Sequence, residues 1–490
     1  MKITVRTLLI LYSLAVLFTQ CEKEPELVLI PDDAFLSALL QLGVDTDGDG
    51  RISSDEAARV ISLDVMRQNI TDMSGIEAFV NLDTLVCTDN PLASLDISGN
   101  TSLLKLECNY NQLTSLDVSN NITLTDLSCG NNQISNLDVS GNRNLERLEC
   151  YWNQLSSLDV SNNTSLIILR CYANQFTSLD VSTNTALREL SCGENQLTSL
   201  EISNNTALEY LYCYGNQLTN LDVSNNIALK SMDCDGNLLT NLDVSNNLNL
   251  LSLECVRNQL SSLDVSDNSF LYSLECSDNQ LSSLDVSKNI KLVSLECFNN
   301  QLTSLDVSNC VDLRDLNCQW NQLISLNISN NSPLSGLLCN HNQITSLDLT
   351  NNPELYYLNC EYNLITTLDL SANNALNEMN CSFNQLSNLD LSNNTDIEWL
   401  YCNENQLTSL DLRSNVNLKV LQCSGNQLSS LDISNNSELG QHSGGFVELD
   451  LSHMPTLDNV CVWEMPFPPE GLEVDTTGSP NLYFTLECSE

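Results

Sequence analysis

The sequence predicts a mainly β solenoid, with a short helical cap at its N-terminal end and a small irregular cap at its C-terminal end. Cysteine recurs every 21 residues from Cys87 to Cys423, which makes seventeen turns without an insertion. Asparagine follows each of these cysteines three residues later, from Asn90 to Asn426. Leucines keep fixed places in every turn, so stacked turns would bury a continuous core that no single turn could bury alone.

The first segment of the chain, residues 1–20, predicts an export signal. Lys2 and Arg6 precede an apolar run from Leu8 to Phe18, and this run is too short to span a bilayer. We therefore expect the mature chain to leave the cytoplasm.

Cys21 begins an acidic segment, residues 21–30, that resembles the tether of a bacterial lipoprotein, in which this thiol is acylated after signal cleavage. Phe18-Thr19-Gln20 lacks the small residue usually found before such a cysteine. We expect a protein at the bacterial outer membrane or cell surface that is lipid-anchored through Cys21, and an ordinary secreted protein is the alternative. Contact with a membrane is then expected through the lipid alone.

Residues 31–61 predict a helical cap that contains a calcium-binding loop. The twelve residues 45–56 match an EF-hand loop, with carboxylates at loop positions one, three, five and twelve and glycine at position six. A helix is expected to leave the loop from Glu56, and the sequence shows no second loop to pair with Ile52. An acidic turn without a metal is the alternative. The expected Ca²⁺ ligands are Asp45, Asp47, Asp49, Arg51 through its carbonyl, Ser53 and Glu56.

The solenoid is predicted over residues 62–452, and each turn can be numbered so that the recurring cysteine is position 6. Leucine at positions 1, 4, 11 and 14 and an aliphatic residue at position 16 would face inward together with the cysteine. Apolar and polar residues alternate around positions 4 to 6 and 14 to 16, which predicts a short strand on each of two sides of a turn. The asparagines at positions 9 and 19 would satisfy backbone groups where the chain turns.

This unit resembles leucine-rich repeats, whose strand motif is L-x-x-L-x-L-x-x-N-x-L, with cysteine here in place of the third leucine. Residues 103–113 show the motif, and Leu116-Asp117-Val118-Ser119 is similar to the second half of the nested bacterial class called IRREKO. The similarity covers residues 82–436 without a gap. The resemblance implies a right-handed leucine-rich-repeat solenoid that recognises proteins or glycans through its strand face.

The last segment, residues 453–490, is rich in proline and is expected to form the C-terminal cap. Cys461 and Cys488 lie in it, and we predict a disulfide between them, because an exported module with little apolar core gains most from such a link. The recurring cysteines are instead expected to be buried thiols, since a straight row offers neither disulfide spacing nor a zinc cage. Cys310 replaces an asparagine at position 19 and is expected to be a tolerated substitution.

Aspartate occupies position 15 in fifteen of the seventeen turns, from Asp96 to Asp432, with Glu201 and Asn327 as the exceptions. Like charges one strand spacing apart repel each other, so something must offset the repulsion. Hydrogen bonds from the serines at position 17 are one explanation, and a stripe that binds cations is the alternative.

The charge and composition disfavour several functions. The chain has 63 acidic and 18 basic residues, a net charge of −45, which disfavours binding to nucleic acid by charge attraction. The three histidines form no recognisable Ser-His-Asp or Cys-His set, and no glycine-rich phosphate loop occurs, so the sequence does not favour an enzyme. We expect a monomer.

A ligand is expected to bind at the variable positions 3, 5, 7 and 8, which are rich in aromatic residues of the kind that favour interfaces. Rings that only stack on one another along the sheet are the alternative explanation. We predict a non-catalytic, surface-exposed protein that uses its strand face for protein–protein interaction or adhesion, with a glycan-capturing cell-surface lipoprotein as the alternative. The candidate ligand-binding residues are Tyr151, Trp152, Tyr172, Tyr210, Tyr212, Tyr214, Tyr357, Trp399 and Tyr401.

Overall fold

A computed structural model of the protein describes residues 26–441 and 447–488. The predicted export signal and Cys21 lie outside the described residues. The chain forms two compact units, with the division between Leu166 and Ile167. Each unit is a parallel β solenoid with little helix, as the sequence predicts. Across the described residues, none of the helices has the length and apolar character needed to cross a membrane.

Unit 1 opens with the helical cap and continues into the first turns of the solenoid. Helix α1 begins after Asp32, whose side chain accepts a hydrogen bond from the Phe35 N–H at 2.8 Å and so caps the helix. Phe35 and Leu39 bury one face of this helix. The elements are α1 Asp33–Gln41, α2 Ser54–Ala57, a 3-10 turn Ile76–Ala78, β1 Ser62–Asp64, β2 Thr84–Val86, β3 Lys105–Glu107, β4 Asp126–Ser128 and β5 Arg147–Glu149.

Unit 2 contains one short strand at positions 3 to 5 of each repeated turn, and further strands near its C-terminal end. Its main sheet contains β6 Ile168–Arg170, β7 Glu189–Ser191, β8 Tyr210–Tyr212, β9 Ser231–Asp233, β10 Ser252–Glu254, β11 Ser273–Glu275, β12 Ser294–Glu296, β13 Asp315–Asn317, β14 Gly336–Leu338, β15 Tyr357–Asn359, β16 Glu378–Asn380, β17 Trp399–Tyr401, β18 Val420–Gln422, β20 Leu449–Asp450 and β22 Val474–Asp475. A second sheet contains β19 Ser430–Asp432, β21 Asn459–Cys461 and β23 Tyr483–Thr485.

Neighbouring strands within each unit pair in parallel and in register, so equal positions of successive turns lie side by side. Leu253 in β10 lies opposite Leu274 in β11, and Glu254 lies opposite Glu275. Leu253 and Cys255, at positions 4 and 6, are fully buried. The core of each unit is therefore a set of columns to which each turn contributes one side chain.

The asparagine at position 9 satisfies backbone groups, as the sequence predicts, and it also joins two successive turns. In Asn258, the Oδ1 atom accepts the Leu239 N–H of the preceding turn at 3.0 Å. The Nδ2 group donates to the carbonyls of Cys234, Cys255 and Val256 at 3.0, 3.3 and 3.3 Å. Both polar atoms of the buried amide therefore have partners, which removes most of the cost of burying it.

The asparagine at position 19 supports a second bend of the turn. Asn268 donates from Nδ2 to the carbonyls of Val244 at 3.0 Å and Asn247 at 2.9 Å. At Cys310 a thiol takes the place of this amide, is fully buried, and keeps one weak contact with the Val286 carbonyl at 3.7 Å. The stack continues through this turn, so the substitution is tolerated, with the loss of a stronger donor.

The prediction of a second strand in every turn is wrong for most turns of the described residues. Position 15 pairs as isolated bridges in a few of these turns, such as Asp243 with Asp264, and lies in a strand at β19. The side-chain bond of position 15 does not decide between the two, because Asp264 Oδ1 accepts the Ser266 N–H at 2.9 Å and Asp432 Oδ1 in β19 accepts the Ser434 N–H at 3.0 Å.

The C-terminal segment is more regular than the irregular cap that the sequence predicts. Strands β20 and β22 extend the main sheet beyond β18, while β19, β21 and β23 pair in parallel as a separate sheet. Val460 is buried and lies between Leu431 and Phe484 of the neighbouring strands. These turns lack the recurring cysteine and asparagine, so the 21-residue period does not reveal them.

Candidate functional site

The strand face, by which we mean positions 3, 5, 7 and 8, ends at a sharp turn of the backbone. Position 8 has a left-handed conformation in every repeated turn, with φ between 48° and 66° from Asp89 to Gly425. Most of these residues are not glycine, although an L-residue loses about 1 to 2 kcal/mol in this conformation. Trp152 and Trp320 occupy this position and are 54% and 52% exposed. The sequence pattern alone did not show that position 8 is constrained in this way.

The nine predicted ligand-binding residues divide between the two units. Tyr151 and Trp152 belong to unit 1. In unit 2, burial raises the pKa of Tyr214 and Tyr401 to about 12, so these rings are partly packed into the sheet. Among the predicted residues of unit 2, Tyr210 is exposed. The other predicted residues of unit 2 are half-buried, namely Tyr172, Tyr212, Tyr214, Tyr357, Trp399 and Tyr401.

Tyr214 lies over a glycine of the preceding turn. A Cβ atom added at Gly193 would approach the Cε1 and Cδ1 atoms of the Tyr214 ring to 2.7 and 2.8 Å. Because no real Cβ atom comes so close to another carbon, Gly193 provides the space in which this ring lies. One face of the Tyr214 ring is therefore not available to a ligand.

Four rings at position 8 of unit 2 stack face to face. The centroid distances are 3.6 Å from Trp320 to His341, 4.4 Å from His341 to Tyr362 and 4.2 Å from Tyr362 to Phe383. Neighbouring planes lie within 15° of parallel. The rings cover one another's faces, so here the structure favours a stabilising ladder over a stacking platform for sugars. None of these four residues was among the nine predicted ligand-binding residues, and comparing position 8 across turns would have found them.

Four carboxylates occupy position 5 of four consecutive strands, β9 to β12, and we call them the acidic column. Glu254 lies in register with Asp233 on one side and Glu275 on the other, and Glu275 lies opposite Glu296. Like charges placed directly side by side on a sheet are destabilising. The residue at position 3 of each of these strands is uncharged, namely Ser231, Ser252, Ser273 and Ser294.

Some strand carboxylates elsewhere have basic partners. Lys105 Nζ lies 2.7 Å from Glu107 Oε1 in unit 1, and Arg170 Nε lies 2.6 Å from Glu189 Oε1 in unit 2. The acidic column differs from these two pairs, because position 3 of its strands has no basic residue to offset the repulsion between the carboxylates. Sequence reasoning missed it, since the acids become neighbours only when the turns stack.

The acidic column borders a groove of about 480 Å³ on the strand face of unit 2. The groove is also lined by Asp235, Tyr214 and Phe298, with Arg257 at its border. Burial and then the nearby Asp233 charge raise the pKa of Asp235 to about 7, and the same two causes raise the pKa of Glu254 to about 7. A positively charged group in this groove would favour the ionised form of both carboxylates.

The predicted calcium loop brings three carboxylates together. One oxygen each from Asp45, Asp47 and Glu56 lies within 4.8 Å of the others. Asp45 also accepts the backbone N–H groups of Gly48 at 2.7 Å and Gly50 at 2.9 Å, which closes the loop. Both glycines have φ of 79°, the left-handed conformation that this tight turn requires. The donor set of carboxylates and backbone carbonyls fits a hard divalent cation.

The remaining predicted ligands lie around this group. Asp49 and Arg51 are exposed, and Asp49 Oδ1 accepts the Arg51 N–H at 2.8 Å. Glu56 Oε1 accepts the Thr46 N–H and hydroxyl at 2.7 and 2.8 Å, while Oε2 accepts the same two groups of Ser53 at 2.9 Å. These bonds, led by the Ser53 N–H, lower the pKa of Glu56 to about 2. Glu56 therefore stabilises the loop through hydrogen bonds of its own.

The sequence contains no second calcium loop to pair with Ile52. The segment before α1 pairs with the loop instead. The Ile52 carbonyl accepts the Val28 N–H at 2.8 Å, and Leu27 forms an antiparallel bridge with Ser53. The helix that leaves the loop is the single turn α2, which starts at Ser54 instead of at Glu56 as predicted. The preceding segment of the same chain therefore holds the loop in place. The loop lies shortly before the first turn of the solenoid in the sequence.

The cysteines have two different environments. Cys461 and Cys488 are joined by a disulfide, with Cα atoms 5.3 Å apart. The recurring cysteines are buried thiols, and burial raises the pKa of Cys87 and Cys318 to about 12. Such thiols are neutral at physiological pH and closed to solvent, which disfavours a role as nucleophile or metal ligand.

Comparison with known proteins identifies the repeat. The family described as leucine-rich repeats, in two copies, matches residues 185–226. Internalin J of Listeria monocytogenes is 38% identical over 71 residues, which make up 14% of this chain and 8% of that protein. The match therefore spans only a small part of that relative.

Solved structures extend the similarity to most of the chain. The functional domain of internalin J from Listeria monocytogenes, which includes a cysteine ladder, is 32% identical, with a TM-score of 0.54, and the match covers 86% of this chain and 79% of that one. A leucine-rich-repeat protein from Leptospira interrogans is 24% identical, with a TM-score of 0.58, and covers 76% and 92% of the two chains. The ectodomain of an Arabidopsis thaliana receptor kinase, in complex with Casparian strip integrity factor 2, is 20% identical, with a TM-score of 0.67, and covers 88% and 62%. The last two similarities show the fold alone.

Proposed function

Because the chain belongs to the leucine-rich-repeat family, we propose that it is a non-catalytic binding protein that recognises a protein partner on the strand face of unit 2. The observation that supports this proposal is the division of roles within each turn. Leu253 and Cys255 are buried, whereas positions 5, 7 and 8 vary from turn to turn and line an open groove. Recognition is left to the variable positions, since a change at a buried one would disturb the packing.

The proposed place of action is outside the cell. The export signal of residues 1–20 and the acidic segment that follows Cys21 support a protein held by a lipid at the bacterial outer membrane or cell surface, where it would serve adhesion or protein interaction. Metabolic labelling with a fatty acid tests this. Label on the wild type that is lost in Cys21→Ser supports the anchor, whereas a wild type without label supports a secreted protein.

We also propose that the loop of residues 45–56 binds Ca²⁺ as a structural ion. The carboxylates of Asp45, Asp47 and Glu56 are already close together, and Asp49, Ser53 and the Arg51 carbonyl would complete the set of oxygen ligands. Calcium is typically plentiful outside cells, so the ion would stabilise the cap instead of acting as a signal.

A pair of blocking variants tests where a partner binds. The full chain is first screened against an array of extracellular proteins and, in parallel, a glycan array. Ser252→Gln with Ser273→Gln places neutral bulk at position 3 of β10 and β11, while Ser261→Gln with Ser282→Gln makes the same change at exposed position 12 of the same turns. We expect the first pair to weaken binding of a protein partner about tenfold or more, which corresponds to a loss of about 1.4 kcal/mol.

The position 12 pair is the matched control and should bind like the wild type. An equal effect of the two pairs would contradict the strand-face proposal. Binding to glycans without a protein partner would support the glycan-capturing alternative, which the exposed ring of Trp152 favours and the covered ring faces from Trp320 to Phe383 disfavour.

A further inference from the structure

An exposed apolar edge runs beside strands β9 to β13 of unit 2. Its residues occupy positions 20, 21 and 2, immediately before each strand, and fall in five successive turns. Single exposed apolar residues are ordinary on a protein surface, whereas a row of them marks a contact surface. The apolar edge consists of Ile227, Leu248, Phe270, Tyr272, Ile290 and Val311, and each is at least 50% exposed.

The apolar edge is continuous because successive turns are hydrogen-bonded there. The Tyr272 N–H donates to the Leu251 carbonyl at 2.9 Å, and the Val293 N–H donates to the Tyr272 carbonyl at 2.8 Å. Side chains of neighbouring turns therefore stand about one strand spacing, roughly 4.8 Å, apart. Three basic residues share this edge: Lys230 is paired with Glu209 at 2.6 Å, Arg314 lies 3.7 Å from Glu354, and Lys291 is exposed.

The acidic column belongs to the same turns as the apolar edge. Position 5 follows position 2 by three residues of nearly extended chain, which is about 10 Å. An occupant that covers Tyr272 on the edge would therefore also reach Glu275 on the face. The serines at position 3 separate the two features and leave the space between them open to a partner.

We infer that the apolar edge and the acidic column together dock one protein segment, whose row of apolar side chains is flanked by lysine or arginine. This inference rests on the proposed function and names the chemistry of the partner. Apolar side chains of the segment would cover the edge, and its positive charges would relieve the repulsion between Glu254 and its neighbours.

Other occupants match only part of this surface. A second copy of the chain would bring the same acidic column and a net charge of −45, so the two copies would repel each other. A divalent cation would neutralise the carboxylates but would leave the apolar edge exposed. A basic and apolar protein segment satisfies both features.

Synthetic peptides test the inference with the full chain. The probes are an amphipathic lysine–leucine peptide, an oligolysine of equal charge and a glutamine–leucine peptide of equal length, each labelled for fluorescence anisotropy. We expect the lysine–leucine peptide to bind at least about tenfold more tightly than either of the others. Added salt should weaken its binding, because salt screens exposed charges.

Two sets of charge variants separate local docking from diffuse attraction. Removal of three charges from the acidic column should weaken the lysine–leucine peptide about tenfold or more, whereas removal of three charges from position 15 of the same turns should change its affinity less than about twofold. Thermal melting of each variant confirms that it is folded. The column set is Glu254→Gln with Glu275→Gln and Glu296→Gln, and the control set is Asp264→Asn with Asp285→Asn and Asp306→Asn.

The apolar edge has its own test. Phe270→Ser with Ile290→Ser should reduce the affinity of the lysine–leucine peptide to that of oligolysine. Equal effects of the two charge sets, or no advantage of lysine–leucine over oligolysine, would overturn the inference. If Ser252→Gln with Ser273→Gln abolishes binding of a protein partner and the column set does not change it, the proposed function is supported and this inference is refuted. If neither set of variants changes binding of the partner, the proposed function itself is refuted.

Discussion

The imidazole ring of His341 stacks on the indole ring of Trp320, with centroids 3.6 Å apart and planes 13° from parallel. Tyr362 covers the opposite face at 4.4 Å, and Nε2 of the imidazole approaches Glu361 Oε1 at 3.9 Å. Burial lowers the pKa of His341 below its usual value of 6.5, and the charge of Glu361 opposes this effect only in part. The stack therefore favours the neutral imidazole.

The lowered His341 pKa predicts a loss of stability in mild acid. Below pH 6.5 an unfolded chain binds a proton that the folded state resists, so the contribution of the neutral ring is complete above pH 6.5 and decreases as the pH falls below it. His341→Phe retains a stacked ring and removes the titration. Between about pH 7.5 and pH 5, the melting temperature of the wild type should fall further than that of His341→Phe. Parallel decreases would count against this assignment.

Gly193→Ala should expel the Tyr214 ring from its place. The added Cβ atom would lie 2.7 Å from the ring, and relief of this overlap should cost about 1 to 3 kcal/mol of unfolding free energy. The pKa of Tyr214 should fall from about 12 towards its usual value of 10 as the ring becomes exposed, which ultraviolet titration measures. Gly141→Ala is the control, because the nearest atom to its added Cβ is 3.7 Å away. Similar titrations of the two variants would refute the predicted displacement.

Cys310→Asn should stabilise the protein. The amide would restore the donor that Asn268 uses at the equivalent place, where it reaches two carbonyls at 3.0 and 2.9 Å. A typical hydrogen bond contributes about 1 kcal/mol, and the Oδ1 atom of Asn268 is buried without a partner, so we expect a gain of at most about 1 kcal/mol in the free energy of unfolding. Asn331→Cys makes the reverse change one turn later and should lose a similar amount. Denaturant unfolding measures both, and a loss in both variants would show the thiol to be preferred at residue 310.

Asp47 and Asp49 allow a test of the calcium loop that removes charge alone. Asp47 Oδ1 accepts the Asp49 N–H at 3.1 Å, and Asp49 Oδ1 accepts the Arg51 N–H, so asparagine at both residues retains these acceptors. Asp47→Asn with Asp49→Asn should melt like the wild type in a chelator and should not gain stability from calcium. The wild type should gain about 2.7 kcal/mol at a hundredfold excess over Kd.

Asp55→Asn provides the control for the calcium test. Asp55 is exposed in α2 and is not a predicted ligand, so its variant should gain stability from calcium as the wild type does. Glu56→Ala is a poorer test, because loss of the hydrogen bonds of Glu56 to Thr46 and Ser53 would destabilise the cap with or without the ion. A wild type indifferent to calcium would remove the support for the site.

The disulfide between Cys461 and Cys488 should be present in the protein isolated without a reducing agent. A non-reduced digest analysed by mass spectrometry should contain the two peptides joined, and peptides alkylated at both cysteines would show that the bond does not form. The bond closes a loop with a sequence separation of 27 residues. Cys488→Ser should therefore lower the stability of the C-terminal turns by about 2 to 4 kcal/mol.

The fold could be predicted from the sequence because a constant period determines which side chains meet. Leu253 and Cys255 are buried and Asn258 joins two turns, as their recurrence implies. The period does not reveal how far each predicted strand extends. The second strand expected around Asp264 is only a bridge.

The candidate site was less predictable because it arises between turns. Asp233, Glu254, Glu275 and Glu296 are each unexceptional within their own turn, and only parallel pairing in register makes them neighbours. The calcium loop is the opposite case, since a contiguous stretch of chain contains all its predicted ligands. Its closure against Val28 was nevertheless not foreseen, because that contact depends on how the preceding segment folds back.

The buried thiols affect the order in which folding and thiol oxidation can occur in this protein. Seventeen equivalent sulfur atoms in an unfolded chain would offer many wrong partners in the oxidising compartment that the proposed export implies. Once Cys255 and its counterparts are enclosed, an oxidant can no longer reach them. Under the proposed export, we therefore expect the turns to fold before their thiols are oxidised, which would leave Cys461 and Cys488 to pair with each other.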